Sequence, residues 1–232
     1  MSNSCFHFKQ FDVYHDRCAM KVGTDGVLLG AWVNPLQNGR ILDVGTGTGL
    51  IALILAQRTD AFIDAVEITA EGTEQASLNV ANSPWSERIS VIRADYNYYT
   101  SDQSYGLIIS NPPFFRNSLK APSKGRKLAR HDDMLPWEHL IEKSAELLSP
   151  KGRFAVVLPY DKDGVFENLC WQEKLFLVRR CEVSTIEGQS PKRLLLEFSP
   201  ERNETEHSIL AIETPQHQLT TEYTVITSDF YL

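Results

Sequence analysis

Short apolar runs alternate along the chain with stretches whose apolar residues recur at helical spacing. Ile41–Val44 is an apolar run entering a glycine-rich turn, and Leu50–Gln57 is apolar nearly all round, which predicts a buried helix. Phe62–Ile68 predicts the next strand, followed by a helix near Glu71–Ala81, and Ile89–Ile92 and Leu107–Ser110 read as two more buried strands. Trp137, Leu140, Ile141 and Leu148 recur at helical spacing behind Pro136, and Gly152 breaks the chain before a strand at Phe154–Leu158. Strands alternating with helices predict right-handed crossovers and a parallel sheet covered on both faces, an α/β fold.

The pattern changes towards the end. Leu175–Val183 and Leu194–Phe198 are separated by a loop with Gly188 and Pro191 that leaves no room for a helix, so they predict an antiparallel hairpin. Ile209–Ile212 offers one more strand, and the aromatic and aliphatic Tyr223–Leu232 is expected to dock on the body. With 232 residues, 42% hydrophobic, the chain suits one domain with a full core. Within it we expect an N-terminal segment over residues 1–39, a Rossmann-like core over 40–200 and a C-terminal extension over 201–232.

Composition narrows the setting. No apolar run reaches the ~18 residues of a membrane span, and no signal-like segment opens the chain; with few cysteines, this predicts a cytoplasmic protein. A net charge of −7 argues against bulk attraction to nucleic acid. Its distribution matters more: between Asn111 and His131 stand Arg116, Lys120, Lys124, Arg126, Lys127 and Arg130 with no acidic residue. Such a stretch on an acidic body is either a phosphate-contacting face or a solvated loop. Cys5-x-His7 and His15-x-x-Cys18 have a superficial zinc look, but the seven-residue gap and interleaved aromatics argue against a metal site.

Two segments carry the chemistry. Asp43-Val44-Gly45-Thr46-Gly47-Thr48-Gly49 follows a core strand and opens a helix, where glycines let the backbone approach a ligand closely. The G-x-G-x-G spacing differs from the G-x-G-x-x-G of pyrophosphate binders, and the acidic Asp43 suits a positively charged ligand such as S-adenosylmethionine. Glu67, ending the next strand, is placed to accept from ribose hydroxyls. Asp95 either accepts from the cofactor's adenine amino group or is a plain loop aspartate; Ile68 and Tyr96, beside these two acids, join the cofactor-binding set.

The second segment is Asn111-Pro112-Pro113-Phe114, directly after the fourth strand of the core. It makes a good turn, but amino-group methylation gives the combination a sharper meaning. Two fixed acceptors, the Asn111 side-chain oxygen and the Pro112 carbonyl, hold the amino hydrogens and leave the nitrogen lone pair free, while Pro113 keeps the loop stiff. Phe114 offers a flat ring for a base turned out of its stack.

These motifs resemble those of class I amino-methyltransferases. A narrower resemblance, to the bacterial tRNA-valine adenine-37 N6-methyltransferases, rests on Phe6-His7-Phe8-Lys9-Gln10-Phe11, on Met20-Lys21-Val22-Gly23-Thr24-Asp25-Gly26 continuing to Trp32, on Ala129-Arg130-His131, on Pro191–Phe198 and on Asp229-Phe230-Tyr231-Leu232. It covers nearly the whole chain. It implies a seven-stranded sheet of order 3-2-1-4-5-7-6 with strand seven antiparallel, S-adenosylmethionine as cofactor, a tRNA partner, and methylation of the adenosine beside the anticodon. It also implies that Lys21, Gly23, Thr24 and Asp25 lie over the methionine part of the cofactor, where Thr24-Asp25-Gly26 also reads as a capped helix start.

Rival readings fit less well. Protein-glutamine methyltransferases place a helical domain before the glycine turn, for which the 40 residues before Ile41 are too few. Guanine-N2 methyltransferases with Asn-Pro-Pro-Phe resemble doubled domains, and adenine DNA methyltransferases need a target-recognition domain. A non-catalytic binding module has little reason to keep both segments.

Overall fold

The computed structural model describes residues 4–17, 21–113 and 135–231. Two short antiparallel strands, β1 (Cys5–His7) and β2 (Asp12–Tyr14), precede helix α1 (Thr24–Trp32). The core then runs β3 (Arg40–Val44), α2 (Leu50–Arg58), β4 (Phe62–Glu67), α3 (Ala70–Ala81), β5 (Ile89–Arg93) and β6 (Tyr105–Ser110). It continues through α4 (Trp137–Leu147), β7 (Leu148–Pro159), α5 (Asp163–Gln172), β8 (Phe176–Ile186) and β9 (Arg193–Ser199), and ends with β10 (Glu206–Glu213) and α6 (Thr221–Thr227).

Among the described residues the main sheet has eight strands in the order β5-β4-β3-β6-β7-β9-β8-β10. With β3 as the first core strand this is the expected 3-2-1-4-5-7-6, and β9 is the antiparallel strand against both β7 and β8. The addition is β10, which pairs parallel to β8 and extends the edge by one strand. The alternation along β3, β6 and β7 sends residues to opposite faces. Ile41, Ile109 and Val157 pack against α1 and α2, while Leu42, Ile108 and Val156 share the other core with residues of α4 and α5.

Several expectations need correction. β5 is a sheet edge, and of its five residues only Ile89 is buried. Leu148 begins β7 instead of closing the preceding helix, and Gly152 lies inside that strand. A Cβ at Gly152 would press within 2.8 Å of Leu148 and the Tyr105 carbonyl, so the glycine answers to packing and not to a break. Helix α5 was not expected; its pattern is weak because only Phe166 and Cys170 are buried.

The two ends of the chain clasp each other, as the apolar C-terminus suggested. Phe230 and Tyr223 are buried, Tyr231 stacks on Phe8, and the Lys9 amide donates to the Phe230 carbonyl at 2.8 Å. Helix α6 packs on α1 and β10. Among the described residues, no helix is long and apolar enough to cross a membrane.

Candidate active site

Strand register brings the two motif segments together. Ser110, Val44, Val66 and Ile92 form one row across β6, β3, β4 and β5. One residue further along each strand stand Asn111, Gly45, Glu67 and Arg93. Neighbouring strands lie about 4.8 Å apart, so the Asn-Pro-Pro segment, the glycine turn and the acidic strand end meet at the carboxyl edge of the sheet. The Ser110 hydroxyl donates to the Val44 carbonyl at 2.9 Å and ties the first two together. Asn111 is half-buried, Pro112 buried and Pro113 exposed.

The spacing of the glycines follows from backbone geometry. Gly45, Gly47 and Gly49 have φ of +71°, +57° and +81°, which L side chains rarely adopt. The Gly45 and Thr46 amides both donate to the Val66 carbonyl, and Gly49 turns the chain into α2, against Ala76 of α3. Gly45 is exposed, and a Cβ built there would meet nothing within 4 Å. The turn therefore keeps an open cradle that a side chain would fill, which fits a ligand held against its backbone.

The acidic residues divide their work. Asp43 is buried beneath the turn and accepts from the Thr46 hydroxyl at 2.6 Å. Burial pushes its carboxyl up to about 7, opposed by the Thr46 hydroxyl and the facing Ala52 amide and reinforced by Glu67; Oδ1 has no partner within hydrogen-bond range. Glu67 holds the turn from the other side. Its Oε2 accepts from the Gly47 amide at 3.0 Å, and its Oε1 from the Thr69 amide and hydroxyl at 3.0 and 2.8 Å. With two acceptor sites per oxygen, Oε2 retains capacity for a further donor such as a ribose hydroxyl.

The buried Asp43 carboxyl yields a pH prediction. Its folded value is raised above the ordinary 3.8, so between about 4 and about 7 the folded state keeps a proton that the unfolded chain has lost. Stability therefore falls as pH rises through that window, by an amount on the order of a few kcal/mol. Asp43→Asn keeps an acceptor for Thr46 and is expected to flatten the fall. Urea midpoints at pH 5 and pH 8 check this, and an equal drop in both proteins would contradict it.

The N-terminal segment arrives over the same edge. Gly26 and Gly30 of α1 lie against Leu50 and Ile54 of α2, and a Cβ at Gly30 would come within 2.8 Å of Ile54. This pairing sets the start of α1 beside the glycine turn. Lys21, Gly23 and Thr24 are exposed there. Asp25 is bound by Arg193 of β9 at 2.8 Å, which ties the segment to the far side of the edge. Gly23 is the N-cap, and no side chain caps the helix.

A buried hub that the sequence did not reveal supports this placement. Asn79 of α3 exchanges hydrogen bonds with both backbone groups of Tyr14 and donates to the Thr48 carbonyl in the glycine turn. One helical turn earlier, Gln75 accepts from the Arg17 amide. The available signal was a pair of side-chain amides at i and i+4 on α3.

Other expected residues are placed differently. Asp95 follows β5 by two residues, and its Oδ1 accepts from the backbone and side-chain amides of Asn97. The Tyr96 ring is turned into the core and bonded to Ser144, so only its backbone is left to meet a ligand. Ile68 is 42% exposed beside Glu67 and presents an apolar face. Phe114, Arg116, Lys120, Lys124, Arg126, Lys127 and Arg130 lie outside the described residues, as does Cys18. Cys5, His7 and Asp12 bring ligand atoms within 4.8 Å of one another on the β1–β2 hairpin, where His7 and Asp12 bond each other at 2.7 Å.

Comparison with known proteins identifies the family and the fold. The profile described as "Methyltransferase small domain" matches residues 19–165. The chain is 47% identical over 232 residues to a tRNA1(Val) (adenine(37)-N6)-methyltransferase of Phocaeicola vulgatus, covering 100% of this chain and 99% of that protein. A protein of the same description from Flavobacterium psychrophilum is 46% identical over 234 residues, covering 98% and 99%. Among solved structures, a predicted O-methyltransferase of Agrobacterium tumefaciens superposes with a TM-score of 0.72 at 18% identity, covering 89% of this chain and 96% of that one. The glycopeptide N-methyltransferase MtfA, crystallised with S-adenosyl-L-methionine, gives 0.56 at 12% identity, covering 78% and 100%. At those identities the structures share the fold.

Proposed function

Because the chain belongs to the family of the tRNA1(Val) (adenine(37)-N6)-methyltransferases, we propose that it methylates N6 of the adenosine at position 37 of tRNA1(Val), in the cytoplasm. It uses S-adenosylmethionine. The observation that carries the reading is the Val44–Ser110 pairing, which sets the glycine turn and Asn111 side by side.

The residues at this edge fit the cofactor. Gly45 and Gly47 offer the open backbone cradle, and Oε2 of Glu67 is the acceptor for a ribose hydroxyl. Ile68 gives apolar surface for the adenine ring, and the backbone at Asp95 and Tyr96 borders it. Lys21 to Asp25, held by the Asp25–Arg193 pair, cover the methionine end, which gives residues 1–39 their role as a cofactor-covering segment. Among the described residues, 40–113 and 135–200 supply the core, and 201–231 brace it. Bound there, S-adenosylmethionine supplies a methyl group on a positively charged sulfonium, a good leaving group.

The chain's own part is orientation. The Asn111 side-chain oxygen and the Pro112 carbonyl accept the two amino hydrogens of adenine, so the nitrogen lone pair points towards the glycine turn. Pro112 is buried and Pro113 adds a second fixed φ, so the acceptors keep their places. Phe114 stacks on the turned-out base. Most of the acceleration comes from alignment, for which no strong base is required, because the proton leaves after transfer.

The test is incubation of labelled S-adenosylmethionine with unmodified tRNA, followed by nucleoside analysis. Label in N6-methyladenosine is expected; label in a methylated guanine, or in protein glutamine alone, would overturn the reading. The basic stretch makes a second prediction. Replacing Lys124, Arg126 and Lys127 with alanine is expected to weaken tRNA binding and lower its salt slope by about 0.7–0.9 for each phosphate no longer neutralised. Unchanged filter-binding curves at several salt concentrations would make the stretch a solvated loop.

A further inference from the structure

Strand β7 outruns its neighbour. Ser110, the last residue of β6, pairs with Val156, and β7 continues to Pro159. Its antiparallel partner β9 begins there, with Arg193 opposite Pro159. One step further the ladder adds a final bond, from the Tyr160 amide to the Lys192 carbonyl at 3.2 Å. Tyr160 and Lys192 are thus cross-strand neighbours on a ledge that rises above the Asn111 level. Counted along the strands, Tyr160 lies three residues, about 10 Å, beyond Asn111 and one strand to its side.

The side chains on this ledge are open to solvent. Tyr160, the first residue after β7, is 38% exposed, whereas Phe154 and Leu158 within the strand are buried. Lys192 is exposed and makes no ion pair among the described residues. The neighbouring cations are engaged, Arg193 with Asp25 and Lys162 with Asp161. An exposed ring beside an unused ammonium suits a nucleotide, with the base on the ring and the phosphate on the cation.

We propose that this ledge holds the nucleotide next to the target adenosine. Tyr160 stacks on that neighbouring base, and Lys192 pairs with the phosphate linking it to the target. The separation from Asn111 is too large for the target ring itself and suits the adjoining residue. The ledge rests on the tRNA reading above and adds two positioning residues to it, separate from the acceptors of the target amino group.

The experiment measures methyl transfer to an anticodon stem-loop RNA by the full chain and by Tyr160→Ala, Tyr160→Phe and Lys192→Gln. Tyr160→Ala is expected to raise the RNA KM by about 5-fold to 150-fold, the range of one missing base–aromatic stack. Tyr160→Phe is expected to stay within about 3-fold of the native protein, well inside that range. Lys192→Gln is expected to lower the salt slope of RNA binding by about 0.7–0.9, the share of a single phosphate. Affinity for S-adenosylhomocysteine is expected to be the same in all four proteins. In a second arm the RNA carries an abasic nucleotide on one or the other side of the target. One of these RNAs is expected to weaken the native protein as much as Tyr160→Ala does, with no added loss in the variant. An unchanged RNA KM in Tyr160→Ala, or losses that add in the second arm, would overturn the ledge while native transfer to RNA left the enzymatic reading standing. No transfer to RNA by the native protein would overturn both.

Discussion

Asn111→Ala is expected to reduce methyl transfer to tRNA by about 10²–10³-fold in kcat, the scale of losing one preorganised hydrogen-bonding group at a reacting centre. The variant removes one of two acceptors for the adenine amino group and leaves the Pro112 carbonyl. Asn111 closes no hydrogen bond to the glycine turn; the Ser110 hydroxyl makes that connection to the Val44 carbonyl. Cofactor affinity and thermal stability are therefore expected to change little. Single-turnover rates at saturating cofactor and tRNA check the first point, and calorimetric titration with S-adenosylhomocysteine checks the second. A variant with undiminished single-turnover rate would remove Asn111 from the chemistry.

Gly45→Val is expected to abolish measurable cofactor binding at a much smaller cost in stability. At φ of +71° any L residue is strained, at about 1–2 kcal/mol, and a β-branched one most of all. The turn has room for the new side chain, since nothing lies within 4 Å of the added Cβ. The same space is where a ligand would approach the turn, so the valine methyls compete with it directly. Binding and unfolding thus separate: a loss of more than about 100-fold in affinity corresponds to over 2.7 kcal/mol, beyond the expected loss of fold stability. Calorimetry with S-adenosylhomocysteine and a urea melt together give the comparison. Retained affinity in a folded Gly45→Val protein would mean that the cofactor does not lie on this turn.

The parallel core was legible because its strands are covered on both faces. Ile41–Val44, Leu107–Ser110 and Phe154–Leu158 are mostly apolar runs, broken only by Asp43 and Ser110, and each lies in a strand of the structure. The glycine spacing was equally legible, since three left-handed residues at alternate positions leave little choice of residue type. What remained hidden lay in tertiary packing. Strands β1 and β2 are three residues each, too short to show a period; the buried Asn79 holds Tyr14 at the end of β2, and Gln75 holds Arg17 just beyond it. Helix α5 buries one residue per turn and leaves Val165 and Trp171 exposed, so its apolar stripe is not visible in one dimension.

The site was readable in its backbone and less so in its side chains. The positions of Asn111, Gly45 and Glu67 follow from strand ends, which sequence locates well. Asp43 shows the difference. Its acidity beside the glycines suggested a direct partner for a cationic ligand, yet the carboxylate lies beneath the turn and bonds Thr46. Sequence does not say which way the Tyr96 ring points, and in the structure its hydroxyl bonds Ser144 of a neighbouring helix. Arg193 carried no sequence signal for Asp25, 168 residues away, because the pairing depends on β9 running antiparallel to β7.

The shared edge of β3 and β6 is tested most directly by a crystal structure with S-adenosylhomocysteine and an adenosine-containing stem-loop. The expected result is the nucleoside against Gly45 and Glu67, with the adenine N6 held by Asn111 and Pro112 and turned towards the sulfur. A ligand seated elsewhere on the protein, or an Asn111 side chain pointing away from the bound adenine, would contradict it.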